Sequence, residues 1–307
     1  MRHIIENEHL KVEIESLGAE VKSVVRKSDG KQMWWVGDEK YWDGSSPILF
    51  PACGGLWNGQ YEWQGATYQM PKHGFVKSME WDCLGETTFK EEDEEAVMIL
   101  FEVRETEETL EAYPFHFSLQ LRYILRGASL ACVYSVANLE EDCVMPYQIG
   151  GHPAIALPDF QEGREVIGYI SPLFNGTPID AHCLSVVRAG EQGCWSKERH
   201  AVNCNEEGLI PVSVATFANE ALIFDHKQIN GADILNLEGE MLCRVESYSP
   251  VWLFWQMQDL LCPYVCAEPW YGLCDLQGES VNLIERPYTQ CCAPQSEVTM
   301  PLWSVAF

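Results

Sequence analysis

The chain is expected to be all-β, a large antiparallel β-sandwich, and three observations lead there. Apolar and polar residues alternate with period two from end to end, as in Leu10, Val12 and Ile14 against Lys11, Glu13 and Glu15, the pattern of a strand with one buried face. Turn residues punctuate the apolar runs at short intervals, and the 23 Gly and 16 Pro suit hairpins. No long segment carries the three-and-four apolar spacing of an amphipathic helix.

The elements follow in order. After the first alternating strand, Ser28, Asp29 and Gly30 separate AEVKSVVRK from KQMWWV, a hairpin signal. Gln64 and Gly65 do the same between Tyr61–Trp63 and Thr67–Gln69. Further on, Phe117, Leu119, Leu121, Tyr123 and Leu125 share a face, Gly127 breaks the run, and Leu130 to Val136 returns antiparallel to it. The block KEEDEEAV at 90–97 is expected to be a solvated hairpin loop. So many half-buried strands bury their apolar sides by packing face to face, which favours a sandwich over a single barrel. The absence of a fixed-period repeat weighs against a propeller.

Of the 307 residues, 47% are hydrophobic and 11 are Trp, enough for one large core. No composition shift marks a linker, so a single domain over 1–307 is expected. A formal charge of −26 argues against nucleic acid and anionic membrane surfaces as partners. The 13 cysteines are expected to be reduced and mostly buried, because the chain is large, its Cys count is odd, and no CxxC spacing points to zinc. The start, MRHIIENEHLKVEI, enters a strand pattern without a basic and apolar leader, and no apolar run has the length of a membrane span. A cytoplasmic location is expected, for a monomer or a homodimer.

Three polar residues stand out from this strand-rich background: His73 in MPKHGF, His152 in GGHPA and Glu268 in CAEPW. In the last two a proline follows, which biases the preceding residue toward extended backbone and holds its side chain off a rigid strand end. An imidazole facing a carboxylate suggests an acid and a base. From the residues alone, His152 reads equally well as a histidine satisfied by backbone. Glu268 lies between apolar stretches, where a carboxylate buried without a role is costly.

The string SPILFPACGGLWNGQYEWQGATYQMPKHGFVKSMEW, followed in order by YPFHFSLQLRYIL, MPYQIGGHPAIALP, NEALIFDH and VCAEPWYGLCD, resembles the aldose 1-epimerase (galactose mutarotase) family, in particular its bacterial lactose-operon-associated branch. The resemblance covers nearly the whole chain. It implies a galactose mutarotase-like β-supersandwich with a cleft on one sheet, a pyranose substrate whose α and β anomers are interconverted, and neither cofactor nor metal. Carried over by motif, Glu268 is the general base, His152 the general acid, His73 a second histidine near the anomeric centre and Asp225 a sugar-hydroxyl ligand. Trp57, Trp270 and Tyr271 lie near the motifs and could offer a stacking face.

The motif pattern is broken at two places. Many relatives carry Arg after the first glycine of the FP stretch, where this chain has Gly55, and Ala-Arg after HGF, where it has Val76 and Lys77. A lysine does not reproduce a bidentate guanidinium. These departures bear on the sugar rather than on the acid and base. The alternatives are a hexose 6-phosphate epimerase and a non-catalytic sugar-binding protein on the same fold. A glycoside hydrolase fits poorly, because the motifs supply one carboxylate where hydrolysis needs two.

Overall fold

The computed structural model describes residues 1–91 and 94–307. Among them every strand ladder is antiparallel, and the strands form two large sheets with smaller hairpins around them. The first sheet runs in the order Thr177–Pro178, Tyr169–Phe174, Gly231–Leu235, Met241–Glu246, Ser296–Ala306, Ser129–Asn138, Phe117–Arg126, Glu94–Arg104 and Asp82–Glu91. The second runs Trp195–Ala201, Ser185–Ala189, Leu222–Phe224, Val251–Trp255, Tyr264–Tyr271, Ile149–Gly151 and Ile48–Leu49, with Ala154–Ala156 also on Tyr264–Tyr271. The two sheets pack face to face through Tyr134 and Tyr271, whose ring centroids lie 6.1 Å apart, and Trp34, bridged to Ile155 of the second sheet, meets Trp303 of the first at 5.7 Å.

The alternation read from the sequence is the alternation of burial. Leu10, Val12 and Ile14 are fully buried while Lys11, Glu13 and Glu15 are not. Phe117, Leu119, Leu121, Tyr123 and Leu125 all point into the core, and their strand pairs with Ser129–Asn138 across Gly127. At Gln64 and Gly65 both φ angles are positive, 49° and 80°, the geometry of the tight two-residue hairpin that joins Gln60–Trp63 to Ala66–Gln69. The one α-helix among the described residues, Glu107–Ala112, is a short connection capped by Thr106.

The charge block differs in part from a free loop. Lys90 pairs with Glu95 and Phe89 with Ala96 within the strand ladder, with Ala96 and Val97 buried, while residues 92 and 93 lie outside those described. All 13 cysteines are free thiols, and most are buried. Among the described residues no helix is long and apolar enough to cross a membrane.

Candidate active site

Tyr264–Tyr271 is buried along its whole length and forms the centre of the second sheet. Its register with Val251–Trp255 sets Leu253 opposite Glu268 and Trp255 opposite Cys266, and Leu253 in turn pairs with Ile223. Paired residues share a face, so Ile223, Leu253, Glu268 and Trp270 line one side of the sheet. That side is the floor of a cleft of about 640 Å³, within the range of small-molecule sites.

His152 reaches this floor because its segment pairs twice with the same strand. Gly150 sits opposite Trp270 and Ala154 opposite Cys266, leaving 151–153 alongside Glu268. The two preceding glycines are close approaches. A Cβ at Gly150 would meet Trp270 Cδ1 at 2.7 Å, and one at Gly151 would meet Trp303 Cδ1 at 2.5 Å. His152 Nε2 comes to lie 3.2 Å from Glu268 Oε1, with the residues 7% and 2% exposed.

His73 enters from the opposite wall, its backbone left-handed at φ 69°. Its N–H donates to Gly54 O at 3.0 Å, and the Gly54 N–H donates back to His73 Nδ1 at 3.1 Å. A backbone donor at Nδ1 fixes the neutral tautomer with hydrogen on Nε2. Its ring centroid is 6.0 Å from that of His152 and 5.5 Å from that of Trp270.

Burial dominates the electrostatics of the pair. Burial lowers His152 to about 3 and pushes Glu268 well above the usual carboxylate range, with Lys72 only partly opposing the latter. Burial and the neighbouring His152 likewise keep His73 neutral. Desolvation penalises each isolated charge, so the contact favours one proton shared between His152 and Glu268. The sequence gives no measure of this, since the cause is tertiary burial.

Asp225 is not brought to this cleft as the motif implied. It lies just past Leu222–Phe224, where both its oxygens accept from Arg199 at 2.8 and 2.6 Å, and it is absent from the cleft lining. Arg199 stands on a strand whose pairing could not be read from the local motif. Of the three aromatics noted near the motifs, Trp270 lines the cleft, whereas Trp57 does not and Tyr271 is buried with its hydroxyl donating to Pro301 O.

Two aromatics that the motifs did not single out do line it. Trp42 and Trp255 flank His152, with ring centroids at 5.0 and 5.7 Å. The usable signal lay in VWLFW, where Trp252 and Trp255 fall on opposite faces. Trp252 goes to the core and Trp255 to the cleft.

The position of the missing arginine has a steric explanation. A Cβ at Gly55 would meet Gln192 O at 2.1 Å, and the Gly55 N–H donates to Gly193 O at 2.9 Å, so no side chain fits there. Beneath the same loop lies a guanidinium from elsewhere, that of Arg286, fully buried against Asp275. Within the cleft the cations are lysines. Lys72 Nζ is 3.8 Å from Glu220. Lys77 is half-buried, forms no ion pair or hydrogen bond among the described residues, and is held below its ordinary value by burial and then by Lys72.

Residues 1–166, more than half of the chain, match the profile of the aldose 1-epimerase family. The chain is 28% identical over 290 residues to Protein LacX (plasmid) of Lactococcus lactis subsp. lactis, covering 92% of each, and is likewise 28% identical to the chromosomal LacX of the same organism. Its fold is shared with a galactose mutarotase-like protein from Lactobacillus casei, at a TM-score of 0.85 and 24% identity over 100% of this chain and 99% of that one. A galactose mutarotase related enzyme from Lactobacillus acidophilus has the same TM-score of 0.85, with 25% identity over 100% of this chain and 97% of that one. With a family profile running through the segment that carries His152, and relatives aligned along nearly the full length, the chain belongs to the aldose 1-epimerase family.

Proposed function

We propose that the protein is an aldose 1-epimerase that interconverts the α and β anomers of a free hexose by general acid and base catalysis. The observation carrying this reading is the 3.2 Å contact between His152 Nε2 and Glu268 Oε1 on the floor of the cleft. Ring opening needs a proton taken from the anomeric hydroxyl and another given to the ring oxygen as the C1–O5 bond breaks. Glu268 takes the first and His152 gives the second, leaving an aldehyde and a C5 hydroxyl. Rotation about C1–C2 presents the other face of the carbonyl, and the same two transfers in reverse close the ring and restore the pair.

One proton held between the two side chains is sufficient for the cycle. Moving it along the contact generates the working form without exchange with solvent. His73, with its tautomer fixed by the Gly54 N–H, offers Nε2–H as a donor to a sugar oxygen without changing charge. Trp42, Trp255 and Trp270 supply apolar faces for sugar C–H groups. Trp255→Ala is expected to raise KM by roughly five- to tenfold, from a stacking contribution of about 1 kcal/mol, as read by anomer-equilibration NMR over a range of sugar concentrations.

The test is acceleration of anomer equilibration, followed by NMR, across a panel of hexoses and hexose phosphates. If no sugar in the panel equilibrates faster with the protein, the non-catalytic sugar-binding reading replaces this one.

A second reading, an epimerase of a hexose phosphate, is favoured by one observation: Lys77 is a half-buried cleft cation without a partner among the described residues. A charge-assisted bond to a phosphate is worth about 1.5–3 kcal/mol. On this reading Lys77→Met raises KM for a hexose 6-phosphate by roughly ten- to a hundredfold and leaves a free hexose nearly unaffected. Equal effects on the two substrates remove the phosphosugar reading.

A further inference from the structure

We propose that His152, Cys266 and Glu268 form a binding site for one borderline-soft divalent cation, with Zn²⁺ as the probe, and that its occupancy blocks the active site. The blocking part rests on the epimerase reading; the binding part does not.

Cys266 and Glu268 are two residues apart on Tyr264–Tyr271, so both side chains leave the same face of the strand. Ala154 pairs with Cys266 and brings the His152 segment beside them. One ligand-capable atom from each of the three lies within 4.8 Å of the other two, and all three residues are buried. Imidazole, thiolate and carboxylate are the donors zinc takes, with bonds of about 2.0 Å to N and O and about 2.3 Å to S. Two ligands at about 2.0 Å in a tetrahedron stand about 3.3 Å apart, and Nε2 and Oε1 are already 3.2 Å apart. The Cys266 thiol, within the same 4.8 Å, supplies the third ligand, and the cleft that His152 and Glu268 line supplies the side from which a fourth can approach. Carboxylate and thiolate together neutralise the ion, and the thiol proton and the proton held by the pair are released to solvent. Mg²⁺ and Ca²⁺, which prefer all-oxygen shells, are poorly served.

The same geometry separates an inhibitory ion from a resident one. A zinc-bound histidine ordinarily donates its second ring nitrogen to an orienting partner, and His152 Nδ1 is buried with no hydrogen-bond partner among the described residues. The site accepts zinc without being built around it. A bound ion occupies the atoms that would take and give protons.

The experiment uses the full-length protein stripped of metal. Adding Co²⁺ as a spectroscopic stand-in is expected to produce a thiolate-to-metal charge-transfer absorption that saturates at one equivalent and is displaced by Zn²⁺. Cys266→Ser, or Cys266→Ala should the first variant fold poorly by circular dichroism, abolishes that band. Cys204→Ser, which disrupts the exposed Asp180, His182 and Cys204 group, leaves it intact. Zn²⁺ slows anomer interconversion in the wild type, and the Cys266 variant keeps its metal-free rate but needs at least tenfold more Zn²⁺ for the same inhibition. No band in the wild type, a band unchanged in the Cys266 variant, or equal inhibition of the two overturns the proposal. Because the Co²⁺ band needs no sugar, a band without turnover sinks the epimerase reading alone, and turnover without a band sinks the metal site alone.

Discussion

Glu268→Gln and His152→Asn are each expected to lower kcat for anomer interconversion by about 10²- to 10⁴-fold, and the double variant to be little worse than the poorer single one. Each removes one of two transfers that occur in the same step, and residues acting as a unit show strongly non-additive losses. Stability should move the other way at Glu268. Its carboxyl is 2% exposed in the middle of an entirely buried strand, and burial opposes its ionisation. A neutral amide of the same shape avoids that penalty, so the Gln variant melts at the same temperature as the wild type or higher, as expected where stability has been given up for activity. NMR exchange rates combined with a thermal melt separate this from a folding defect. Variants that equilibrate anomers within twofold of the wild type sink the assignment of the pair.

The strands were legible because their burial follows local alternation, which the chain carries residue by residue. The convergence of His73, His152 and Glu268 was legible for a related reason. Each sits beside a glycine or proline that fixes where its backbone turns, and the motifs framing them are contiguous. What failed to show was whatever depends on a partner from a distant strand. Asp225 looks like a free carboxylate in its motif, and only the pairing of Ser185–Ala189 with Trp195–Ala201 brings Arg199 over it. Trp42 and Trp255 were hidden among 11 tryptophans, because a large aromatic usually fills a core. The protonation of His152 was not legible either, because burial sets it and the motif does not show burial. Ordinary pKa values describe an exposed imidazole, and this one is buried against a pair of touching indole rings. Gly55 appeared as a loss of guanidinium, whereas the structure supplies a reason in the Gln192–Gly193 backbone packed against it.

Arg286→Met is expected to cause the largest loss of stability, about 3–5 kcal/mol, the usual cost of leaving half of a buried ion pair behind. Arg286 and Asp275 have side chains with 0% exposure, joined by Nε to Oδ1 at 2.6 Å. The guanidinium also donates to Cys53 O at 3.2 Å and Leu273 O at 3.3 Å, tying the cleft loop to the end of the central strand. Asp275 Oδ2 accepts from the Trp57 N–H at 3.0 Å, so the carboxylate holds the far side of that loop. Methionine fills much of the volume but leaves a buried carboxylate without its counter-charge, and Cys53 O and Leu273 O each lose a donor, the latter keeping only Gln148 Nε2. At roughly 2–4 °C per kcal/mol for a chain somewhat smaller than this one, the melting temperature should fall by about 6–20 °C. Asp275→Asn alone should also destabilise, while the double variant should lose less than the two single losses combined, the coupling expected of residues in direct contact. The effect should reach the site through Gly54, which lies between Cys53 and Gly55 and donates the hydrogen bond that fixes the His73 tautomer. A folded Arg286 variant is therefore expected to bind sugar more weakly at temperatures well below its melt. An unchanged melting temperature would mean that the loop is held by its backbone bonds to Gly193 and Asp275 alone, and that the buried pair is incidental to both fold and site.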